Sequence, residues 1–182
     1  MKNGFFSVPR PVNEPVFDYK KNSPERKEVL ETYAALYNST IDVPLYIGSK
    51  KIVTKERAKM APPHDHKHTL GSFSMAEASH VTQAINAALA ASPDWENTSF
   101  EHRAAVFLKA ADLIAGPYRA RINASTMLAQ SKNIFQAEID AACEFADFLR
   151  FNVAFASDIY AQQPIQGCLL YTSPSPRDLQ GS

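Results

Sequence analysis

Glycine is scarce in this chain, with six among 182 residues. None stands in a G-x-G-x-x-G or Walker A arrangement, so there is no glycine-rich cradle for a phosphate. Cysteine is scarcer still. With only Cys143 and Cys168, neither a disulfide framework nor a four-cysteine zinc site can be built within one chain. Charge of one sign is lacking too: 19 basic and 19 acidic residues cancel. That removes the basic field a nucleic-acid binder needs, so no nucleic-acid partner is expected. No apolar run reaches the roughly 18 residues of a membrane span, so no membrane partner is expected either. What remains is 45% hydrophobic and 21% charged residues. That is a globular composition of a length suited to one domain or a piece of a larger one.

Met1 to Arg10 lacks the sustained apolar core of a secretory signal and the long Arg- and Ser-rich pattern of a mitochondrial one. The reading is a cytoplasmic protein starting at its natural Met. Pro9, Pro11 and Pro15 then predict an extended arm.

Helix signals follow in order. Ser23-Pro24-Glu25 supplies a cap, a first-turn proline and an acid at the positive end of the dipole. Val29, Leu30, Tyr33, Leu36 and Tyr37 recur at helical spacing, and the helix should end near Asn38. Val43–Ile47 and Ile52-Val53 flank Gly48-Ser49-Lys50-Lys51 and predict a hairpin, with Pro44 at a strand start or edge. A further extended stretch runs from about Met60 to Phe73. Ser74-Met75-Ala76-Glu77 has capping-box spacing, and Val81, Ile85 and Leu89 mark a helix that Pro93 should end. Ser99 opens another, with Phe107, Leu108, Ala111 and Ile114 as its stripe and Gly116-Pro117 as its stop. Pro117 can open the next, to about Gln130. A last long helix should run from near Ile134 to Tyr160. Its stripe of Ile139, Ala142, Phe145, Phe148, Leu149, Phe155 and Ile159 is expected to bury substantial area. The order is one helix, a hairpin, then four helices. An α/β enzyme needs parallel strands that this chain barely supplies, which suggests a helical layer covering a sheet found elsewhere.

The residues that could carry chemistry are few. His64, His66 and His68 alternate and could face one way on a strand to bind a divalent metal, but no fourth ligand accompanies them. A polar loop is the plainer reading. Cys143 sits mid-helix among alanines and reads as a buried packing residue, not a nucleophile. Glu138, Asp140, Glu144 and Asp147 form an acidic ridge of the kind that usually faces solvent. Glu144 differs, because Phe145 and Phe148 put it beside the apolar stripe, where a carboxylate can line a pocket. Arg119, Arg121 and Lys132 read as a solvated basic side.

Three stretches resemble a known family. Arg103–Arg119 and Thr126–Lys132 are similar to, and Gln136–Glu144 continuing Asp147–Asn152 is most specifically similar to, the N-terminal part of the 1-pyrroline-5-carboxylate dehydrogenase family of the aldehyde dehydrogenase superfamily. Asn13-Glu14-Pro15 and Pro62–His66 agree with it, and the likeness covers roughly Gly4 to Ile165. The resemblance implies an α/β aldehyde dehydrogenase-like fold, of which residues 1–165 would be the N-terminal part of the cofactor domain. It implies NAD as cofactor, oxidation of L-glutamate γ-semialdehyde to L-glutamate, and a homo-oligomer when full length. In the family a thiolate attacks the aldehyde, hydride passes to the nicotinamide, and water releases the acid. Neither Cys143 nor Cys168 stands in the family's Gly-Gln-x-Cys context, and no cofactor-binding βαβ segment is present, so no catalytic, cofactor-binding or metal residue is carried over. Glu144 alone is carried over, as a residue near the aldehyde pocket. Residues 166–182 read as an unrelated, unstructured tail at the junction of a truncated or chimeric gene. The rival expectations are a stand-alone helical interaction module and a metal-binding protein built on the histidine cluster.

Overall fold

The structure, a computed structural model, describes residues 7–163. The proposed tail, 166–182, lies outside the described residues.

Residues 7–20 form an arm without helix or strand, closed by a turn at 21–22. It leads into α1 (Pro24–Tyr37), where the Ser23 hydroxyl accepts from the Arg26 N–H and Asn38 closes the C-terminus. A small β layer follows. Strands β1 (Ile41–Val43), β4 (Arg57–Met60) and β5 (Gly71–Ser74) form one sheet in the order β1-β5-β4, with β1 parallel and β4 antiparallel to β5. The hairpin is β2 (Leu45–Ile47) with β3 (Lys50–Ile52), paired Leu45 to Ile52 and Ile47 to Lys50. Its turn is therefore Gly48-Ser49 alone. Lys50 and Lys51 belong to the strand, because the tight turn needs only two residues and Gly48 supplies its positive φ of 57°. Gly71 is fixed for a different reason. A Cβ there would lie 1.8 Å from the Ile41 carbonyl oxygen, so the β1–β5 pairing requires its absence.

The helical layer comprises α2 (Ala78–Asn97), α3 (Phe100–Ala115), α4 (Arg119–Gln130) and a final rod. Ser99 caps α3 and Gly116 ends it, as the sequence suggests. Two boundaries differ. Ser74 is the last residue of β5, where its buried hydroxyl accepts from the Thr54 N–H at 3.3 Å, so α2 begins only after Glu77. Pro93 lies inside α2 instead of ending it. Its fixed φ is helical, and the last-turn carbonyls accept from side chains: Asn97 donates to the Pro93 oxygen and Thr98 to the Asp94 oxygen, both at 2.8 Å.

The final rod is not uniform. It starts as α5 (Ile134–Ala137), widens into a π-helical segment (Glu138–Cys143), and resumes as α6 (Glu144–Ala161). The extra residue per turn rotates the stripe. Ala142, Cys143, Ala146 and Val153 are buried, whereas Ile139, Phe145, Phe148, Phe155 and Ile159 are each more than half exposed. The expected aromatic core is thus outside. The true core is small-residued: Tyr19, Val29 and Ala124 join α1 to α4, and Ala111, Ile114 and Ala146 join α3 to α6. Val81, Ile85 and Leu89 of α2 are also exposed.

Candidate functional site

The centre of the described structure is a carboxylate. Glu138, first residue of the π segment, is fully buried. Its Oε1 accepts from the Phe17 N–H at 2.8 Å and from Arg119, whose Nη2 makes a very short bond and whose Nε lies at 3.2 Å. Its Oε2 accepts from the Tyr19 hydroxyl and from Asn123 Nδ2, each at 2.7 Å. Burial alone would push this carboxyl up. Arg119, the Phe17 N–H, Tyr19 and Asn123 outweigh it and hold Glu138 below the ordinary carboxylate range. Burial, followed by its hydrogen bond to Glu138, pushes the Tyr19 hydroxyl up.

Arg119 is the hub. It also donates to Glu14 Oε1 and to the Pro15 carbonyl, both at 2.6 Å, and its guanidinium lies 3.8 Å above the Phe17 ring. Glu14 in turn receives Arg150 at 2.5 Å. The Glu14 N–H and the Asn13 side chain both donate to Asp147. The arm is therefore strapped across α4 and the π segment by charge. This corrects the solvated readings of Glu138 and Arg119. Their partners on the arm lie more than a hundred residues away in sequence, a distance no periodic pattern reports.

Cys143 closes the network. The π segment's five-residue hydrogen-bond spacing brings its Sγ to 3.6 Å from Glu138 Oε1, while Arg119 Nη2 lies 3.3 Å from the sulfur. Burial, then Glu138, pushes the thiol up to about 12. A thiol held neutral and covered is no nucleophile at physiological pH. Cys168 lies outside the described residues.

Glu144 opens α6 and is exposed. It lines a groove of about 540 Å³ together with Asn13, Cys143, Asp147, Phe148 and Phe151. Two of these five, Asn13 and Asp147, are tied to each other, whereas no ion pair engages Glu144 among the described residues. The strap thus builds one side of this groove and α6 the other.

The histidines do not converge. His64 Nδ1 lies 2.7 Å from the Ser131 hydroxyl and its Nε2 3.3 Å from the Tyr33 hydroxyl. His68 stacks on Tyr37 at 3.8 Å and its Nε2 meets the Tyr37 carbonyl at 2.6 Å. Asp65 accepts the Tyr37 hydroxyl at 2.8 Å, and that bond chiefly holds its carboxyl below the ordinary range. The loop 61–70 is a tether between the β layer and α1 and α4. Among the described residues no group of three His, Cys, Asp or Glu side chains could hold a metal.

A profile described as the aldehyde dehydrogenase family matches residues 52–176. The chain belongs to the aldehyde dehydrogenase family. It is similar to a mitochondrial delta-1-pyrroline-5-carboxylate dehydrogenase of Dictyostelium discoideum, 46% identical over 87% of this chain and 28% of the relative. The human mitochondrial protein of the same name is 39% identical over 93% of this chain and 30% of its own length. Among solved structures, the delta-pyrroline-5-carboxylate dehydrogenase of Mycobacterium tuberculosis bound with NAD and cobalamin superposes with a TM-score of 0.87 at 48% identity, covering 92% of this chain and 32% of that one. The chain thus spans about a third of the length of these relatives or less. Its fold is that of the corresponding part of an α/β aldehyde dehydrogenase.

The start of α2 does not suit the pyrophosphate of NAD. A pyrophosphate needs open backbone N–H groups at a helix start. The strand-to-helix junction from β5 to α2 ends on the carboxylate of Glu77, with His80 accepting the Glu77 N–H at 3.1 Å. An acidic cap repels a phosphate. That junction offers no pyrophosphate cradle.

Proposed function

We propose that the intact protein is an NAD-dependent dehydrogenase that oxidises L-glutamate γ-semialdehyde to L-glutamate in proline breakdown, and that this chain supplies one wall of its aldehyde pocket. The observation that carries the reading is the 48% identity and 0.87 TM-score to a pyrroline-5-carboxylate dehydrogenase over nearly the whole chain. Glu144 is the wall's acidic residue. Phe148 and Phe151 give the groove its apolar side, and the arm fixed by Asp147 gives it a rim. Such a groove suits an aldehyde with a short aliphatic body.

The exposed aromatic faces of α2, α3 and α6 support a further part of the reading: they await cover by the remaining dehydrogenase chain. By itself the 182-residue chain should not reduce NAD. Cys143 is locked in the arginine–glutamate network, and the acidic start of α2 offers no phosphate cradle. The intact enzyme is read as a homo-oligomer.

Among the described residues no helix is long and apolar enough to cross a membrane. A cytoplasmic location is part of the proposal, while the named Dictyostelium and human relatives are mitochondrial. Imaging a C-terminally tagged chain decides between the two compartments.

A chimera tests the function. Residues 7–163 replace the matching segment of the M. tuberculosis enzyme. The chimera should reduce NAD with pyrroline-5-carboxylate, and Glu144→Ala should raise KM for that substrate while leaving the fold intact. A folded chimera that ignores this aldehyde, or one in which Glu144→Ala changes no kinetic constant, contradicts the assignment.

A further inference from the structure

Glu144, Asp147 and Arg150 follow at steps of three along the start of α6, so they share one face of the helix. That face meets the arm. The two oxygens of the Asp147 carboxylate are divided between two donors. Its Oδ1 accepts the Glu14 N–H at 2.6 Å, and its Oδ2 accepts the Asn13 side chain at 2.8 Å. The Glu14 carboxylate is held from its other end, by Arg150 Nη1 at 2.5 Å and Arg119 Nη1 at 2.6 Å. Pro15 biases the Glu14 backbone toward an extended form, so fixing both ends of Glu14 fixes the course of the arm there. Of these groups, Asp147 is the one that holds the Asn13 side chain.

The consequence falls on the groove, which Asn13, Glu144 and Asp147 all line. One stretch of α6 presents Glu144 to it and also holds the rim on the arm side. We propose that Asp147 is a positioning residue of this groove: its carboxylate seats Asn13 and the Glu14 backbone, and so fixes how far the rim stands from Glu144. The inference rests on the dehydrogenase reading of the groove. A rim meets the body of the substrate in the ground state and the transition state alike. Loosening it removes uniform binding, so KM rises while kcat holds. The task needs two hydrogen bonds and not the charge. An Asn at this position offers one acceptor and one donor, and Asn13 can turn its amide to present its oxygen, so both bonds survive. An Ala offers neither.

The chimera carrying residues 7–163 in the M. tuberculosis enzyme is assayed with pyrroline-5-carboxylate. Asp147→Ala should raise KM about fivefold or more and leave kcat within about twofold. Asn13→Ala should also raise KM, and adding it to Asp147→Ala should change little further, because both cut one link. Asp147→Asn should return KM to within about twofold of the unaltered chimera. Hydrogen exchange of the Glu14 N–H, followed by NMR on the 182-residue chain, reads the seating without turnover. It should quicken about tenfold in Asp147→Ala and stay slow in Asp147→Asn. Should Asp147→Ala fail to fold, Asn13→Ala on the arm carries the KM test. An Asp147→Asn variant as impaired as Asp147→Ala would mean that the charge itself meets the substrate, and it overturns the proposal. So does Asp147→Ala with unchanged KM or unchanged exchange at Glu14. An unaltered chimera that turns nothing over overturns the dehydrogenase reading instead, and the exchange at Glu14 then decides by itself whether Asp147 seats the rim.

Discussion

Charge lies inside one half of this molecule and aromatics lie outside the other. Around α4 and the π segment, Glu138, Arg119 and Asn123 are buried, and nearly all of their polar atoms are paired. Along α2 and the outer face of α6, Val81, Ile85, Leu89, Phe148 and Phe155 are more than half exposed. Ordinary folding would place them the other way round. The inversion shows which contacts are complete. The strap region closes on itself, because Glu138 and Glu14 pair with Arg119 and Arg150, and Asp147 accepts from Asn13 and the Glu14 N–H. The aromatic region is complementary to something not yet bound to it. A buried ion network is also poor value as mere stabilisation, since desolvation offsets much of its attraction. Its consequence here is geometric: it fixes the arm that rims the Glu144 groove.

The largest expected effect comes from breaking the hub. Arg119→Met would leave the Glu138 carboxylate buried with no counter-charge, at a cost of about 3–5 kcal/mol. Urea denaturation should find that variant unfolded or nearly so. Acid should reach the same network more gently. The Glu138 pKa is held down in the folded state, so its contribution is complete above the unfolded carboxylate value of about 4.3 and is lost as pH falls through the lower folded value. Melting temperature against pH should be level from neutrality to about 5 and fall below it, and Glu138→Gln should flatten that fall. Tyr19→Phe deletes one hydroxyl that donates to Glu138 and accepts from Asn123. It should cost about 1–3 kcal/mol in the same denaturation series. The smallest effect belongs to the other region. Phe155→Gln on the exposed face of α6 should change stability by no more than about 0.5 kcal/mol and should raise the solubility limit. A large destabilisation there would mean that the face is already covered.

What the sequence made legible was local. Caps and stops placed α1, α3 and α4 within a residue or two, because Ser23, Ser99 and Gly116 act on backbone groups a few positions away. The Gly48-Ser49 turn was legible for the same reason. The rod from Ile134 to Ala161 was found, but its phase was not, since one inserted π turn moves Phe145 and Phe148 off the buried side without changing composition. Glu144 was singled out by its apolar neighbours, and the structure puts it in a groove with Phe148. Glu138 and Arg119 look like any surface pair in sequence. Only the arm, folded back from residues 13–19, makes them interior.

Hydrogen exchange, read by mass spectrometry on the 182-residue chain, tests the contrast between the two regions most directly. The account predicts the slowest exchange in α4 and the π segment, from Arg119 to Cys143, and fast exchange along α2, from Ala78 to Asn97. Equal protection of both, or an α2 slower than α4, would contradict it.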